Sequence, residues 1–562
     1  MKFFFRRALL GTLAGFAIGA AQAKKASPIT HVIFIMQENR SFDSYFATFP
    51  GANGLPKGTC IPLNPSTPTL GCVIPFHDQR DVNAGGPHVA VPAQADLDDG
   101  ITTDKMDDFV YQQSSSPNGC NQNYGNAANC QIALDGVAKH DVAGYHTSAE
   151  IPNYWAYAKE FVLQDQLFES VRSWSYPAHL YLTSEWSATC TDYTKASTCS
   201  TNPSPPDAGQ VGQLPWANLF QLLDSYNVSW KYYLGNGTQP DCDDGEMTCA
   251  PQVQTNTVAS IWNPAPYFSS VQAKGTAYLQ SHNPSFDQFL KDVQGGTLPQ
   301  VSWVVPSDTY SEHPPNSVTR GMEYVTSMIN AVMQSPYWKN TAIFVSWDDW
   351  GGFYDHVVPP NVDTNTTATP IEGYGLRVPG LVISAYAKKG HIDHQLLSFD
   401  AYATFIEDLF TGGARLNPAA MGNPDSRPDI RDALTSVTFI NGTTAPIGNL
   451  MNDFNFNQAA LPPLVLSTHI PTGITAVCNP NNQDSCTQTA VALSWQPVTG
   501  AQVPGPFTYH VQRNGVELPQ CIGAATSCSD TPGSGDWFYR AYSVDSTNVA
   551  SPLSAAAEAV EP

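Results

Sequence analysis

Two pairs of neighbouring polar side chains each follow an apolar, β-branched stretch of the chain. One pair is Glu38 and Asn39, and the other is Asp348 and Asp349. Carboxylate and amide oxygens are the ligands that hard divalent cations prefer. Adjacent aspartates at the end of a buried strand also repel each other unless a cation or a proton intervenes. Both pairs therefore predict metal ligands; the alternatives are a helix start at the first pair and a solvated acidic turn at the second.

A serine is the third candidate for chemistry. Ser175 lies in a segment that runs from Ser173 to His179, just before a helix predicted over 180–189. Backbone N–H groups at a helix N-terminus can receive an anion, and metal coordination would activate the hydroxyl as a nucleophile. The ordinary alternative for a serine at this position is an N-cap.

These residues need a scaffold that brings distant segments of the chain together. Short apolar stretches predict buried strands at 31–36, 161–163, 301–305, 342–347 and 378–384. Helical patterns lie at 152–160, 216–226, 286–293, 318–334 and 401–410. This alternation predicts an α/β fold with a mainly parallel sheet covered by helices on both faces. Such sheets collect ligands beyond the carboxyl ends of their strands, which is where both polar pairs stand.

The composition changes near residue 462, and the remaining residues predict a small β module. Alternating apolar and polar residues indicate strands at 491–495, 509–513 and 537–544. Asn514-Gly515 is a tight-turn signal between two strands. The module resembles a fibronectin type III β-sandwich, and it contains few titratable groups. The predicted divisions are a leader over 1–23, a main body over 24–460 and the β-sandwich over 466–562.

The leader and the cysteines together predict export. The first residues are basic, an apolar stretch follows, and Ala21-Gln22-Ala23 is a cleavage signal, which together predict a signal peptide. Arg6-Arg7 leaves the twin-arginine route open beside the general secretory route. The 12 cysteines suit disulfides in an exported protein, and local pairing gives Cys60/Cys72, Cys120/Cys130, Cys190/Cys199, Cys242/Cys249, Cys478/Cys486 and Cys521/Cys528. We therefore expect a periplasmic or secreted protein.

The charge balance restricts the partners. The formal net charge is −23, although only 13% of the residues are charged. This balance opposes nucleic-acid binding, which depends on Lys and Arg neutralising phosphates. An anionic ligand must therefore be held by local positive charge, from a metal ion or a protonated histidine.

Several motifs resemble those of the bacterial non-specific phospholipase C and acid phosphatase family, which is distantly related to alkaline phosphatases. They occur in the family's order, over roughly residues 28–415. The motifs are Glu38-Asn39-Arg40-Ser41-Phe42-Asp43, Ser175-x-Pro177, Ser311-Glu312-His313-Pro314 and Asp348-Asp349-x-Gly351-Gly352-Phe353-Tyr354-Asp355-His356. The resemblance implies an alkaline-phosphatase-like fold and a phosphoesterase domain over 24–460.

The resemblance also implies a role for each motif residue. It implies one divalent metal ion, with calcium or magnesium favoured, whose ligands are Glu38, Asn39, Asp348, Asp349 and Ser175. Ser175 would be the nucleophile and would form a phosphoserine intermediate. His313 and His356 match histidines near the phosphate, and His88 is a weaker match in a segment of variable spacing. A charged histidine in mild acid would suit an acid optimum.

Two departures from the family pattern leave the leaving group open. Relatives often have His-His-Asn-Pro or Lys-His-Asn-Pro where this chain has Ile261-Trp262-Asn263-Pro264, and Phe399 replaces a common histidine. The primary expectation is hydrolysis of phosphate monoesters, as in an acid phosphatase, and the alternative is a phospholipase C that acts on phosphodiester head groups. The expected partners are thus small phosphate esters or phospholipid head groups.

Two further readings belong to other classes. A non-catalytic secreted binding protein would need a decayed site, whereas Ser175 and all four implied ligands are present. A sulfatase would need a modified cysteine or serine followed by x-Pro-x-Arg, whereas Pro177 is followed by Ala178-His179. Neither the oligomeric state nor the role of the C-terminal module follows from the sequence.

Overall fold

The structure, a computed structural model, describes residues 27–97, 105–115, 140–206, 213–239, 251–360, 373–428, 430–438, 443–478, 490–499, 505–533 and 535–561. The predicted leader lies outside these residues, as do the predicted pairs Cys120/Cys130 and Cys242/Cys249. Among the described helices, none combines the length and the apolar character that crossing a membrane requires.

A seven-stranded sheet forms the centre of the main body. Its strands are β1 (His31–Gln37), β2 (Val162–Gln164), β3 (Trp230–Leu234), β4 (Val301–Val305), β5 (Thr341–Trp347), β6 (Gly380–Ser384) and β7 (His391–Asp393). Their spatial order is β3-β4-β1-β5-β6-β2-β7. Of these seven, only β6 runs antiparallel to its neighbours. β1 pairs in parallel with β5, with Gln37 opposite Trp347, so the two strands end side by side. The mainly parallel α/β fold is confirmed.

Helices cover both faces of this sheet. The described helices of the main body are α1 (Phe42–Phe46), α2 (Ala90–Asp96), α3 (Phe109–Ser115), α4 (Pro152–Glu160), α5 (Ser175–Ser184), α6 (Leu219–Ser225), α7 (Ser269–Gln272), α8 (Thr276–His282), α9 (Phe286–Gly295), α10 (Val318–Met333) and α11 (Asp400–Phe410). Tyr402 and Phe405 of α11 pack on Phe344 of β5. Tyr154 of α4 packs on Trp347 of the same strand, with ring centroids 5.1 Å apart. Successive side chains of a strand point to opposite faces, so α4 and α11 lie on opposite sides of the sheet.

An aromatic ladder crosses four strands on the α11 face. Tyr232, Trp303, Phe34 and Phe344 are cross-strand neighbours in register. Their rings are stacked with successive centroid distances of 6.3, 6.1 and 5.3 Å. A one-residue slip of any strand would move its ring to the other face, so the ladder helps to fix the register that places the strand ends.

Most of the predicted elements are confirmed, and the exceptions have local reasons. The bounds of β4 and α4 agree with the prediction, whereas β3 and β7 were not predicted. The predicted helix over 180–189 is wrong in its bounds, because α5 runs from Ser175 to Ser184. Pro177 lies in the first turn of α5, where the N–H that proline lacks has no partner within the helix. Glu185, with a left-handed φ of 55°, then ends the helix.

The C-terminal residues form two antiparallel sheets around a separate apolar cluster. Their strands are β8 (Thr472–Cys478), β9 (Val491–Gln496), β10 (Thr508–Arg513), β11 (Val516–Glu517), β12 (Ser527–Asp530), β13 (Gly535–Val544) and β14 (Ala557–Glu561). One sheet has the order β8-β9-β12 and the other β11-β10-β13-β14. Asn514 and Gly515 form the predicted turn, both with positive φ, 46° and 80°. The likeness to a fibronectin type III module stays a prediction.

Disulfides and short strand pairs stabilise the connecting segments. Three predicted cysteine pairs are bridged: Cys60–Cys72, Cys190–Cys199 and Cys521–Cys528. Cys486, the predicted partner of Cys478, lies outside the described residues. The short strand pairs are Ile61–Pro62 with Cys72–Val73, Phe76–His77 with Gly144–Tyr145, Leu167–Phe168 with Leu397–Ser398, Ala188–Cys190 with Cys199–Thr201, Thr238–Gln239 with Gln252–Val253 and Ser436–Thr438 with Thr444–Pro446.

Candidate active site

Three segments of the chain converge where β1 and β5 end. Ser175, the first residue of α5, donates a hydrogen bond from Oγ to Glu38 Oε2 at 2.9 Å. The same Oγ lies 3.4 Å from Asp349 Oδ2. The backbone N–H of Asn39 donates to Asp348 Oδ1 at 3.1 Å. None of these five residues is more than 1% exposed. The structure therefore brings together all five residues that the motifs implied as metal ligands, which we call the Ser175 cluster.

Two glycines shape the chain after the aspartates. Gly351 and Gly352 have positive φ values of 62° and 72°. A Cβ atom on Gly351 would lie 2.7 Å from Asn39 Cβ, and one on Gly352 would lie 2.4 Å from Gly86 Cα. The Gly351 N–H also donates to Asp349 Oδ1 at 2.7 Å. Because only glycine fits both the backbone conformation and the space, this turn holds Asp349 beside the β1 loop.

Two oxygens of the Ser175 cluster have unmet bonding capacity. Within the described part of the chain, Asn39 Oδ1 and Asp348 Oδ2 are buried and have no hydrogen-bond partner. An unpaired buried polar atom costs about 1–3 kcal/mol, and a cation between them would remove that cost. The donor set combines carboxylate, amide and hydroxyl oxygens, which suits a hard divalent cation. The residues present therefore fit the metal ion that the motifs imply.

His179 is the site residue that sequence reasoning missed. It lies one helical turn after Ser175 on α5 and so faces the same side. Its Nε2 is 3.3 Å from Glu38 Oε1 and 3.9 Å from Asp348 Oδ2. The spacing of four residues between Ser175 and His179 is the signal that could have found it, provided that the helix is known to start at Ser175.

Tyr232 determines which His179 nitrogen carries the proton. The Tyr232 hydroxyl donates to the Trp262 carbonyl oxygen at 2.9 Å, so its own oxygen accepts from His179 Nδ1 at 3.0 Å. Burial raises the pKa of Tyr232, and the charges of Glu38 and Asp348 raise it further, so the hydroxyl stays protonated. A neutral His179 then presents the Nε2 lone pair to carboxylate oxygens. That arrangement is stable only with a cation or a second ring proton between them.

His88 and His313 lie together beside Asn39. The Asn39 Nδ2 donates to His88 Nε2 at 2.7 Å, while His88 Nδ1 donates to the Gly86 carbonyl oxygen at 2.8 Å. This pair of bonds assigns the amide nitrogen of Asn39 to His88 and leaves Oδ1 as its ligand atom. The rings of His88 and His313 are 5.3 Å apart. The structure thus brings His88 into contact with the Ser175 cluster and His313 into contact with His88.

His356, the third predicted histidine, lies in a different cluster. Its Nδ1 is 2.6 Å from Asp43 Oδ2. Arg377 Nη2 lies 3.0 Å from both Asp43 Oδ1 and Asp355 Oδ2. In the described contacts His356 therefore takes part in an ion-pair network that fixes α1, and it does not reach Ser175. The reversal of the chain at the glycine turn separates it from the aspartates that precede it.

The two departures from the family pattern have different positions. Trp262 is fully buried, and its carbonyl oxygen accepts the Tyr232 hydrogen bond. Phe399 is 1% exposed and stacks on Tyr402, with centroids 6.0 Å apart. Trp262 thus helps to orient His179 through Tyr232, whereas Phe399 packs between α11 and the sheet.

Comparisons with known proteins cover most of the main body. The model of the Phosphoesterase family matches residues 29–411. Phospholipase C A of Mycobacterium tuberculosis (strain ATCC 25618 / H37Rv) is 29% identical over 395 residues, which are 64% of this chain and 68% of that protein. The non-hemolytic phospholipase C of Burkholderia pseudomallei is 26% identical over 420 residues, which are 68% of this chain and 55% of that protein.

Solved structures resemble the chain at low identity. A protein in the alkaline phosphatase superfamily from Vibrio parahaemolyticus is 10% identical, with a TM-score of 0.27 and coverage of 72% of this chain and 76% of that chain. The PsFucS1 sulfatase from Pseudoalteromonas sp. is 13% identical, with a TM-score of 0.26 and coverage of 70% and 78%.

Proposed function

We propose that this chain, which belongs to the Phosphoesterase family and is a hydrolase of phosphoester bonds, cleaves phosphodiester head groups as a phospholipase C does. In this proposal Ser175 is the nucleophile. The contact that carries this proposal is the hydrogen bond of 2.9 Å from Ser175 Oγ to Glu38 Oε2, inside a cluster of metal-type oxygens. The names of the relatives support the diester.

The charge of the site also favours a diester over a monoester. Glu38, Asp348 and Asp349 supply three carboxylates, so a divalent cation among them leaves one negative charge in excess. A phosphodiester carries one negative charge and a monoester close to two near neutral pH. The diester is therefore repelled less, whereas a monoester would bind better in mild acid, where it holds a proton.

The chemistry is a displacement in two in-line steps. When bound by Glu38, Asn39, Asp348, Asp349 and Ser175, the cation would lower the pKa of the serine hydroxyl and neutralise phosphoryl oxygens. Glu38 Oε2 is in place to accept the Ser175 proton, and Oγ then attacks phosphorus. The P–O bond to the alcohol breaks, and His313, in its protonated form, supplies the proton to that alcohol. Water then attacks the phosphoserine, and the bond from phosphorus to Ser175 Oγ breaks. Glu38 returns its proton to Oγ, and the neutral His313 takes the proton that the water loses.

Replacing the serine tests this proposal. We expect Ser175→Ala to lower kcat/KM by about 10³-fold or more, because the variant has no nucleophile. Ser173→Ala is the matched control, since this buried serine bonds the Pro203 carbonyl oxygen instead of the cluster and should keep its activity. Unchanged turnover in Ser175→Ala would refute the nucleophile assignment. Removal of the metal ion is a separate test. A chelator should abolish turnover of the wild-type enzyme, and adding the metal ion back should restore it.

Hydrolysis of phosphate monoesters, the acid phosphatase reaction, is the second candidate. The family model does not separate the two reactions, because it matches residues 29–411 to phosphoesterases in general. Initial rates on p-nitrophenyl phosphorylcholine and p-nitrophenyl phosphate separate the two. A higher kcat/KM on the diester supports the phospholipase C proposal, and a higher value on the monoester supports the phosphatase.

We also propose that the protein is exported and acts in the periplasm or outside the cell. The three disulfides among the described cysteines support this location, since such bridges persist in oxidising compartments. The division into a phosphoesterase domain over 24–460 and a fibronectin-like module over 466–562 belongs to the same proposal. The apolar cluster inside the two C-terminal sheets, whose members all lie within 466–562, supports it.

A further inference from the structure

Three buried carboxylates meet at the far end of α5, in what we call the Glu185 cluster. Glu185 is the C-cap of α5, Glu407 lies on α11, and Asp432 lies in the 3-10 turn Arg431–Ala433. Their exposed fractions are 2%, 0% and 4%. One ligand-type oxygen from each lies within 4.8 Å of the others. This cluster is separate from the Ser175 cluster, because the ten residues of α5 span about 15 Å.

Part of the cluster is held by backbone donors. The Asp432 N–H donates to Glu185 Oε2 at 2.9 Å, and the Leu416 N–H donates to Glu407 Oε1 at 2.7 Å. Among the described residues, however, Glu185 Oε1 and Asp432 Oδ1 have no hydrogen-bond partner although both are buried. These two oxygens are the observation that points to a ligand, since an unpaired buried acceptor is costly.

The charges around the cluster do not balance. Arg415 contacts it at 3.3 Å through Glu407 Oε2, but the same guanidinium lies closer, at 2.8 Å, to Asp408. Arg431 lies 3.8 Å from Asp400. Glu185 also stands at the C-terminal end of a helix, where the helix dipole disfavours a negative charge. Either protons or a cation must compensate these carboxylates.

We propose that the Glu185 cluster is a second metal site and that it takes Ca²⁺. All its donors are oxygens, and two of the three carboxylates have an oxygen without a partner, which suits a hard cation rather than zinc. Calcium–oxygen distances of about 2.3–2.6 Å allow two ligands of one ion to lie up to about 5 Å apart, in agreement with the spacing found. The bound ion joins the end of α5 to α11 and to the 3-10 turn. The ion thereby stabilises the C-terminal end of α5, the helix that begins with Ser175.

Titration in a background without the first site tests this inference. Purified protein carrying Asp348→Asn and Asp349→Asn is stripped with a chelator and titrated with CaCl2 by calorimetry. We expect one bound Ca²⁺ and a rise of the thermal midpoint by about 2–5 °C. Adding Glu185→Gln or Glu407→Gln, which keep the shape and remove a charge, should weaken binding at least about 10-fold. Glu323→Gln, a partly buried carboxylate outside the cluster, is the control and should bind as the background does.

Hydrogen exchange provides a measurement that needs no variant of the cluster. Added CaCl2 should slow exchange of the Leu416 and Asp432 amides in the background protein, because both donate to carboxylates of the site. Three results would overturn the proposal: no Ca²⁺ bound to the background, no change at these amides, or unchanged binding in both glutamine variants. If Asp453→Asn abolished the binding instead, the ion would belong to the cluster of His391, Asp393 and Asp453.

Discussion

At the scale of single residues, the orientation of His179 depends on one hydroxyl group. Tyr232 accepts from His179 Nδ1 because its own proton goes to the Trp262 carbonyl oxygen. The imidazole can therefore offer Nε2 to a metal ion held by Glu38 and Asp348. Residues that orient a ligand in this way often change metal affinity as much as a ligand does.

Tyr232→Phe should weaken metal binding at the Ser175 cluster by about 10–100-fold, because His179 loses the partner that fixes its tautomer. Calorimetric titration of the stripped protein measures the effect without reference to turnover. Tyr233→Phe is the matched control: this neighbouring buried tyrosine donates to Asp292 Oδ2 at 2.7 Å, away from the site. Equal affinities in the two variants would contradict the assigned role of Tyr232.

At this scale the sequence predicts part of the arrangement that the structure shows, and physical reasons explain where the two differ. Glu38, Asn39, Asp348 and Asp349 could be predicted to converge because each pair follows a strand of a parallel sheet. His179 could not, because its position opposite Glu38 depends on where α5 begins. His356 follows the aspartates closely in sequence, but the glycine turn carries it to Asp43.

At the scale of elements, α10 packs against Glu312 only because residue 321 of the helix is a glycine, which has no side chain. A Cβ atom on Gly321 of α10 would lie 2.1 Å from Glu312 Cγ. Glu312 cannot yield, because it accepts hydrogen bonds from the Tyr45 hydroxyl, the Tyr154 hydroxyl and the Trp347 indole at 2.5, 2.6 and 3.0 Å. The next residue, His313, belongs to the neighbourhood of the active site.

Gly321→Ala should therefore destabilise the protein by about 1–3 kcal/mol through overpacking, although alanine favours helix more than glycine does. Gly295→Ala in α9 provides the comparison, since its Cβ atom would meet nothing nearer than 3.9 Å. That variant should gain up to about 1 kcal/mol from helix propensity. Urea unfolding of both variants measures the difference, and a stabilised Gly321→Ala would contradict the packing described.

The elements themselves were predictable where periodicity and length agreed. β1, β4 and β5 are apolar runs long enough to read as buried strands. β3 has the charged Lys231 as its second residue and β7 has only three residues, so neither stands out from the surrounding sequence. The predicted start of α5 lies too far along the chain. Pro177 indicates a helix break unless the helix is known to start two residues before it, at Ser175.

At the scale of the whole molecule, the C-terminal sheets are docked on the main body by polar contacts. The Ala555 N–H donates to Thr319 Oγ1 at 3.0 Å, and Arg540 forms an ion pair with Glu150. Burial would raise the pKa of Glu150, but the His77 hydrogen bond and the charges of His146 and Arg540 lower it to about 2. This ion pair joins residues 390 positions apart, a relation that no local pattern in the sequence could reveal.

Arg540→Met should lower stability at pH 7 by roughly 1–3 kcal/mol, the usual value of a hydrogen bond to a charged group. Because the folded pKa of Glu150 is depressed, its contribution is complete above the unfolded pKa near 4.5 and is lost as the pH falls toward about 2. The difference between the thermal midpoints of variant and wild type should therefore stay constant from pH 7 to about 4.5 and become smaller between there and pH 3. Lys389→Met, which removes an exposed pair with Glu160, should change little at any pH. A constant difference for Arg540→Met across this range would contradict the role of Glu150.

The contact between the glycine turn and the His88 segment has a consequence for how the enzyme can vary. Gly86 donates its N–H to the Gly351 carbonyl oxygen at 3.0 Å, and a Cβ atom on Gly352 would lie 2.4 Å from Gly86 Cα. The backbones of the two loops are therefore in direct contact with no side chain between them, so this contact has no side-chain rotamers to reorder. A single added methyl group would push the two loops apart. Mutational drift can therefore alter one loop only in step with the other.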